Sequence, residues 1–311
     1  MIATTLQCQR HNIRATTIIN LTYGSSEMQL ALSSVTTLTA TVADDIGACA
    51  DAGCAALEIW LTKLETYFEG RGAWATPSAL KNLLTERHVK LISAAYQGGL
   101  LLTQGEERRA QFDQLQRRLS LCQELDIPTL LVVPDIADRI DGDAFNRVRA
   151  ALAQAAELAS SFNVRLALEF RSTTRWCSSL PTAATLVNSI GSPHLGLCFD
   201  LFHYYTGPSK YEDLAFLTKD NLFAVQLCDL SGIAREMATD ADRILPGEGD
   251  FQLAPILDHL KHIGYTGYVS IELMNPDIWK MKPTQVAEAA YTCARVLLGQ
   301  AAMPAPLEEI G

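Results

Sequence analysis

The 311-residue sequence lacks a CxxC pair, a long apolar run and any excess of positive charge. No window approaches the roughly 18 uninterrupted apolar residues of a membrane helix, which argues against a membrane-spanning protein. Charged residues make up only 19%, while hydrophobic ones reach 48%, so a large core is expected and global disorder is not. Lys and Arg number 25 against 35 Asp and Glu, a net charge of −10. Phosphate backbones repel such a chain, so no nucleic acid is expected and the partner is read as a small molecule. The eight cysteines (Cys8, Cys49, Cys54, Cys122, Cys177, Cys198, Cys228 and Cys293) are scattered, several inside apolar runs such as "LGLCFD". That spacing suits buried, reduced thiols in a cytoplasmic protein better than a disulfide framework.

Residues 1–27 also lack a signal peptide's continuous apolar stretch. They carry Arg10, Arg14 and one acidic residue, Glu27, before regular patterning begins at Met28. We read them as an N-terminal extension, either a loosely packed arm or an over-long start for which Met28 is the natural first residue. Residues 28–299 form the expected folded unit, and 300–311, with two prolines, a fraying tail.

What the sequence does have is alternation. Short apolar segments at 29–35, 55–61, 89–96, 129–135, 164–170, 195–202, 222–230 and 267–274 read as strands. Between them lie amphipathic stretches, such as 42–53 with Gly53 as a C-cap, 144–163, 253–267 with its helix ending at Gly264, and 284–299. Nearly continuous apolar strands, each followed by a helix, predict an all-parallel sheet covered by helices. Eight such units predict an α/β chain folded as a single-domain (β/α)8 TIM barrel. A doubly wound open sheet is the alternative, but no GxGxxG follows the first strand.

In such a barrel the active site forms at the C-terminal ends of the strands. The late strands end in polar residues: Glu169 in "LALEF", Asp200 in "LCFD", Gln226 in "AVQL" and Glu272 in "VSIEL". Strand alternation lets all four point toward the barrel axis. Any one of them alone would more often be a helix N-cap or an ion-pair partner. Together, three converging carboxylates would repel strongly, and a divalent cation removes that problem. Three carboxylates and one amide oxygen make a hard, all-oxygen set that favours Mg²⁺ or Mn²⁺, with Zn²⁺ and Co²⁺ as lesser alternatives.

The segments "LALEF", "CFDLFH", "VQLCDL" and "DRILPGEGDFQLAPILDHLKHIGYTGYVSIELMNPDIW" resemble the xylose isomerase-like TIM barrels, also called sugar phosphate isomerases/epimerases. The resemblance spans residue 28 to about residue 299 and is strongest from Leu166, with the last segment nearest the inosose isomerase branch. It implies that Glu169, Asp200, Gln226 and Glu272 bind a divalent metal. The seventh-strand ligand is more usually His in this family, and Gln there resembles the dehydroshikimate-dehydratase-like members. The resemblance also implies that His203 and Arg243 contact substrate. A solvent-facing loop histidine and a surface pair of Arg243 with Asp240 or Asp242 are the plain alternatives.

A substrate with adjacent carbonyl and hydroxyl groups suits this set, because Lewis-acid polarisation makes the carbon-bound proton acidic. Glu169 and Glu272 are the expected pair to remove and return it. The expectation is thus a metal-dependent isomerase or epimerase of a polyol ketone or keto-sugar, with a dehydratase as the alternative. Trp60 is expected to cover a polyol ring and Lys63 to contact substrate, although Glu58 and Lys63 read equally well as a surface pair. Trp176 and Trp279 are candidate pocket walls. The acidic residues of "PGEGD" argue against a phosphorylated substrate. An abasic-site endonuclease shares the fold but needs several histidines for its zinc cluster, and only six exist here, mostly away from strand ends. Dimers and tetramers are common in the resembled family, so a homo-oligomer stays open, though no segment demands one.

Overall fold

The computed structural model describes residues 28–301 apart from 70–74, 135–139 and 141. The expected N-terminal extension, and all but the first two residues of the tail, lie outside the described residues.

Eight parallel strands close into a barrel in sequence order. They are β1 (Gln29–Ser33), β2 (Ala56–Trp60), β3 (Lys90–Gln97), β4 (Thr129–Val132), β5 (Arg165–Glu169), β6 (Leu195–Asp200), β7 (Leu222–Leu227) and β8 (Tyr268–Ile271). Closure comes from β1 pairing with β8, with Leu30 opposite Val269. The expected (β/α)8 barrel is therefore the observed one.

The outer helices are α1 (Val42–Asp51), α2 (Leu61–Glu69), α3 (Pro77–Glu86), α4 (Gly105–Glu124), α5 (Ala144–Ser161), α6 (Leu180–Ile190), α7 (Leu201–Thr206), α8 (Leu253–His262) and α9 (Pro283–Leu297). Helix α1 starts on a capping box in which Thr41 and Asp44 satisfy each other's backbone N–H. It ends just before Gly53, whose φ of +78° is the left-handed geometry that glycine adopts without strain. Gly264, at φ +76°, follows α8 in the same way.

Strand alternation sorts the core. In β5, Leu166 and Leu168 pack outward among the helices, while Ala167 faces a small inner cluster with Ala95, Leu131, Cys198 and Ala224. Glu169, two residues beyond Ala167, takes the same inward direction. Several strands stop earlier than their apolar patterns suggest. At β6 the reason is visible: the Asp200 side chain accepts the Phe202 N–H at 2.8 Å and caps α7, which turns 201–206 into helix.

Candidate active site

The strands deliver their polar residues to the C-terminal mouth of the barrel, and nearly all of them are buried. Glu58, Glu169, Asp200, His203, Gln226, Arg243 and Glu272 are each at most 4% exposed. Register explains the layering, since Asp200 on β6 lies opposite Gln226 on β7, which lies opposite Ser270 on β8.

Gln226 is held between two carboxyl groups. Its side-chain nitrogen donates to Glu58 Oε1 at 3.0 Å and to Glu272 Oε1 at 2.9 Å. Its oxygen accepts from the Cys198 thiol at 3.3 Å. The buried amide is thus fully engaged by protein groups. Glu58 is not a surface partner of Lys63 but an interior residue that also accepts from Ser93 at 2.8 Å. Burial pushes the Glu58 carboxyl up, against the opposing bonds from Gln226 and Ser93. Glu272 is pushed well up by burial, which with the charges of Asp200, Glu58 and Glu169 overcomes the pull of Arg243.

Arg243 is the central counter-ion. Its guanidinium reaches Asp200 through Nη1 and Nη2 at 3.3 and 2.7 Å, and Glu272 Oε2 at 3.0 Å. Nε and Nη2 reach Asp240 Oδ1 at 3.0 and 2.6 Å. The ring of Phe202 lies beneath it, with its centroid 4.5 Å from Cζ. Pairing with Asp240 is therefore real, but the arginine is wholly buried rather than a surface residue.

His203 is equally far from being a solvent-facing loop residue. It sits fully buried in α7, with Nδ1 3.1 Å from the Ser172 hydroxyl. Its Nε2 lies 3.3 Å from Glu169 Oε1 and 3.7 Å from Asp200 Oδ2, and no hydrogen bond satisfies it. Glu169 in turn accepts from Arg171 Nε at 3.1 Å. Burial would raise the Glu169 carboxyl, but Arg171 first and then His203 and Arg243 outweigh it and bring it down to about 2. Glu169 is thus held toward its ionised form, while Glu272 has raised proton affinity.

Whether a metal fits can be judged from this set. One ligand atom from each of Glu169, Asp200 and His203 lies within 4.8 Å of the others, all three residues being buried. The unsatisfied Nε2 of His203 supplies an imidazole nitrogen beside two carboxylates. Glu58, Glu169, Asp200, Asp240 and Glu272 face Arg171 and Arg243, so carboxyl groups outnumber fixed cations. Both features fit a divalent cation. Gln226 and Glu272, expected beside Glu169 and Asp200, are engaged with Glu58 and Arg243 respectively.

The remaining expected residues have their places. Lys63 donates to the Ser34 and Thr37 carbonyls at 3.3 and 2.8 Å and pairs with Asp45 at 2.6 Å, pinning α2 to the β1 loop and α1. Trp60 meets Tyr96 edge to face at 5.1 Å and lines a cavity of about 490 Å³ with Leu38, Val42 and Tyr67. Trp279 donates to the Val35 carbonyl at 2.7 Å, and Trp176 stands against Phe145. A larger cavity, about 630 Å³, lies at the opposite face around Met28, Tyr268 and Tyr291, away from the carboxylates.

Two residues escaped the sequence reading. Arg171 follows Glu169 by two positions, which on an extended strand is the same inward face, and that was the available signal. Asp229 accepts from the backbone N–H of Leu230, Phe251 and Gly247 at 2.9, 3.0 and 3.0 Å. It thereby folds "PGEGD" back onto β7 and fixes the loop that carries Arg243. Gly249 packs so closely that a Cβ there would lie 2.3 Å from Asp229 Oδ1.

Fold and site together define a (β/α)8 barrel with a buried, acid-rich mouth. The xylose isomerase-like TIM barrel family model matches residues 46–295, and the chain belongs to that family. An inosose isomerase from Bacillus velezensis is 24% identical over 270 residues, covering 85% of this chain and 94% of that protein. A 3-dehydroshikimate dehydratase from Pseudomonas aeruginosa is 26% identical over 261 residues, 83% of this chain but 40% of that longer protein. The barrel superposes on the zinc-bound crystal structure of the IOLI protein with a TM-score of 0.81 at 21% identity, covering 88% of this chain and 99% of that one.

Proposed function

We propose that this protein is a divalent-metal-dependent isomerase or epimerase of a keto-sugar or keto-polyol, working by proton transfer next to a carbonyl. The observation that carries this reading is the buried Glu169–Asp200–His203 cluster, with His203 Nε2 unsatisfied between two carboxylates. Family membership and the similarity to an inosose isomerase support the class of substrate.

Glu169 and Asp200 belong to the proposed ligand set on both strand pattern and geometry. The pattern adds Gln226 and Glu272, and the geometry adds His203. An imidazole donor among carboxylates favours Mn²⁺ over Mg²⁺ and admits Zn²⁺ or Co²⁺. Glu169, Asp200 and His203 would hold such a cation, which would supply Lewis acidity toward a substrate carbonyl. The protein's own groups do the rest. Glu169 and Glu272 are the pair that would remove and return the carbon-bound proton. Arg243 holds Asp200 and Glu272 in fixed orientation, which lowers the reorganisation needed in the transition state. Trp60 offers an apolar face to the polyol.

The alternative is a dehydratase, in which the same carbon-bound proton is removed and then returned to a β-hydroxyl, which leaves as water. Two observations favour keeping it: Gln226 at the seventh-strand position, and the similarity to a 3-dehydroshikimate dehydratase. A screen of keto-polyols in D₂O with added Mn²⁺, read by NMR and ultraviolet absorbance, separates the two. Isomerisation incorporates solvent deuterium without a new chromophore, and dehydration gives a conjugated product that absorbs. Absence of both with every keto-polyol refutes the proposal.

A further inference from the structure

Two arginines stand at the acidic cluster, and they differ in what they have left to offer. Arg243 commits every guanidinium nitrogen to Asp200, Asp240 or Glu272 and is fully buried. Arg171 spends only Nε, on Glu169 at 3.1 Å. Its two Nη groups have no partner among the described residues, and its side chain keeps 19% exposure. The guanidinium plane is nonetheless fixed, with Cζ 4.9 Å from the centroid of the Tyr96 ring. Tyr96 is itself braced by Trp60 at 5.1 Å.

This arrangement is a planar fork, locked on one edge by a carboxylate and on one face by an aromatic ring, with its other edge open among the described residues. A guanidinium fork matches the two oxygens of a carboxylate in a bidentate pair. It is also pre-organised, so little conformational freedom is lost when a ligand docks. The cost of holding an arginine here is met by Glu169, helped by the charges of Asp240 and Glu272, while no described residue takes a hydrogen bond from the Nη edge. We infer that Arg171 anchors a carboxylate group on the substrate and so selects an acidic keto-polyol over a neutral one. The inference rests on the proposed keto-polyol reading of the same site. It makes Arg171 a guanidinium that touches substrate.

Binding, not turnover, tests it. Calorimetry would compare shikimate, a carboxylated ring polyol, with neutral myo-inositol on the wild-type protein and on Arg171→Lys. Lysine keeps the charge beside Glu169 but loses the fork. The expected result is shikimate binding to the wild type that is roughly tenfold or more weaker in the variant. An unchanged thermal midpoint in the variant, with inositol binding the same in both proteins, shows that the fold and polyol subsite survive. Equal weakening for both polyols, no effect on shikimate, or no shikimate binding by the wild type overturns the inference. Displacement of shikimate by inorganic phosphate at lower concentration than by acetate also overturns it, since the anion would then be a phosphoryl group. Because no catalysis is read, a protein inert in the D₂O screen can still show the Arg171 effect, and an active one can lack it.

Discussion

The Gln226 side chain donates to Glu58 from the far side of the barrel interior, β7 reaching β2 at 3.0 Å, while the same nitrogen holds Glu272 at 2.9 Å. One amide therefore separates two carboxyl groups that would otherwise meet unscreened. Its chemistry is better matched to this place than a carboxylate's, because only the amide nitrogen can donate in both directions.

Replacing Gln226 by Glu removes both donors and adds a third negative group. The expected cost is at least about 2 kcal/mol at pH 8, as two buried acceptors lose their partner. The deficit should shrink at pH 5.5, where the crowded carboxyls take up protons. Urea unfolding at the two pH values checks both the size and the recovery.

Arg243→Met should be the most damaging single change in the site. It leaves Asp200 and Glu272 buried without their cation, for which roughly 3–5 kcal/mol is the expected loss. Asp240→Asn should cost much less, because the Asp240 side chain is 31% exposed and water can replace part of the pair. Denaturation midpoints of the two variants give the comparison.

The fold was legible because parallel strands buried on both faces read as apolar runs, and eight of them leave few alternatives. The inward carboxylates were legible for the same reason, since period-two alternation carries them to one side. What the sequence could not show was the pairing. Glu58 looked like a surface partner for Lys63 because both occur within six residues, whereas the strand turns Glu58 inward and α2 sends Lys63 to Asp45. The burial of Arg243 depends on Asp229 folding its loop back to β7, a long-range contact with no local signature.

Asp45 gives a pH signature away from the site. Burial pushes its carboxyl up to about 7, against the pull of Lys63. In that window the folded state holds a proton that the unfolded chain has released. Stability contributed by this group is therefore lost as pH rises from roughly 4 to 7. Relative to Asp45→Asn, the wild type should weaken across that range and stay level above it. Urea titrations of both proteins at pH 4.5, 6 and 8 measure the difference directly.

The proposed function stands on the Glu169–Asp200–His203 cluster holding one divalent cation. Titration of Mn²⁺ into the metal-stripped protein, with free Mn²⁺ read by electron paramagnetic resonance, tests it most directly. One tight site per chain is expected, abolished in Asp200→Asn and in Glu169→Gln while both variants remain folded. Absence of a tight site in the wild type, or a site that persists unchanged in Asp200→Asn, would contradict it.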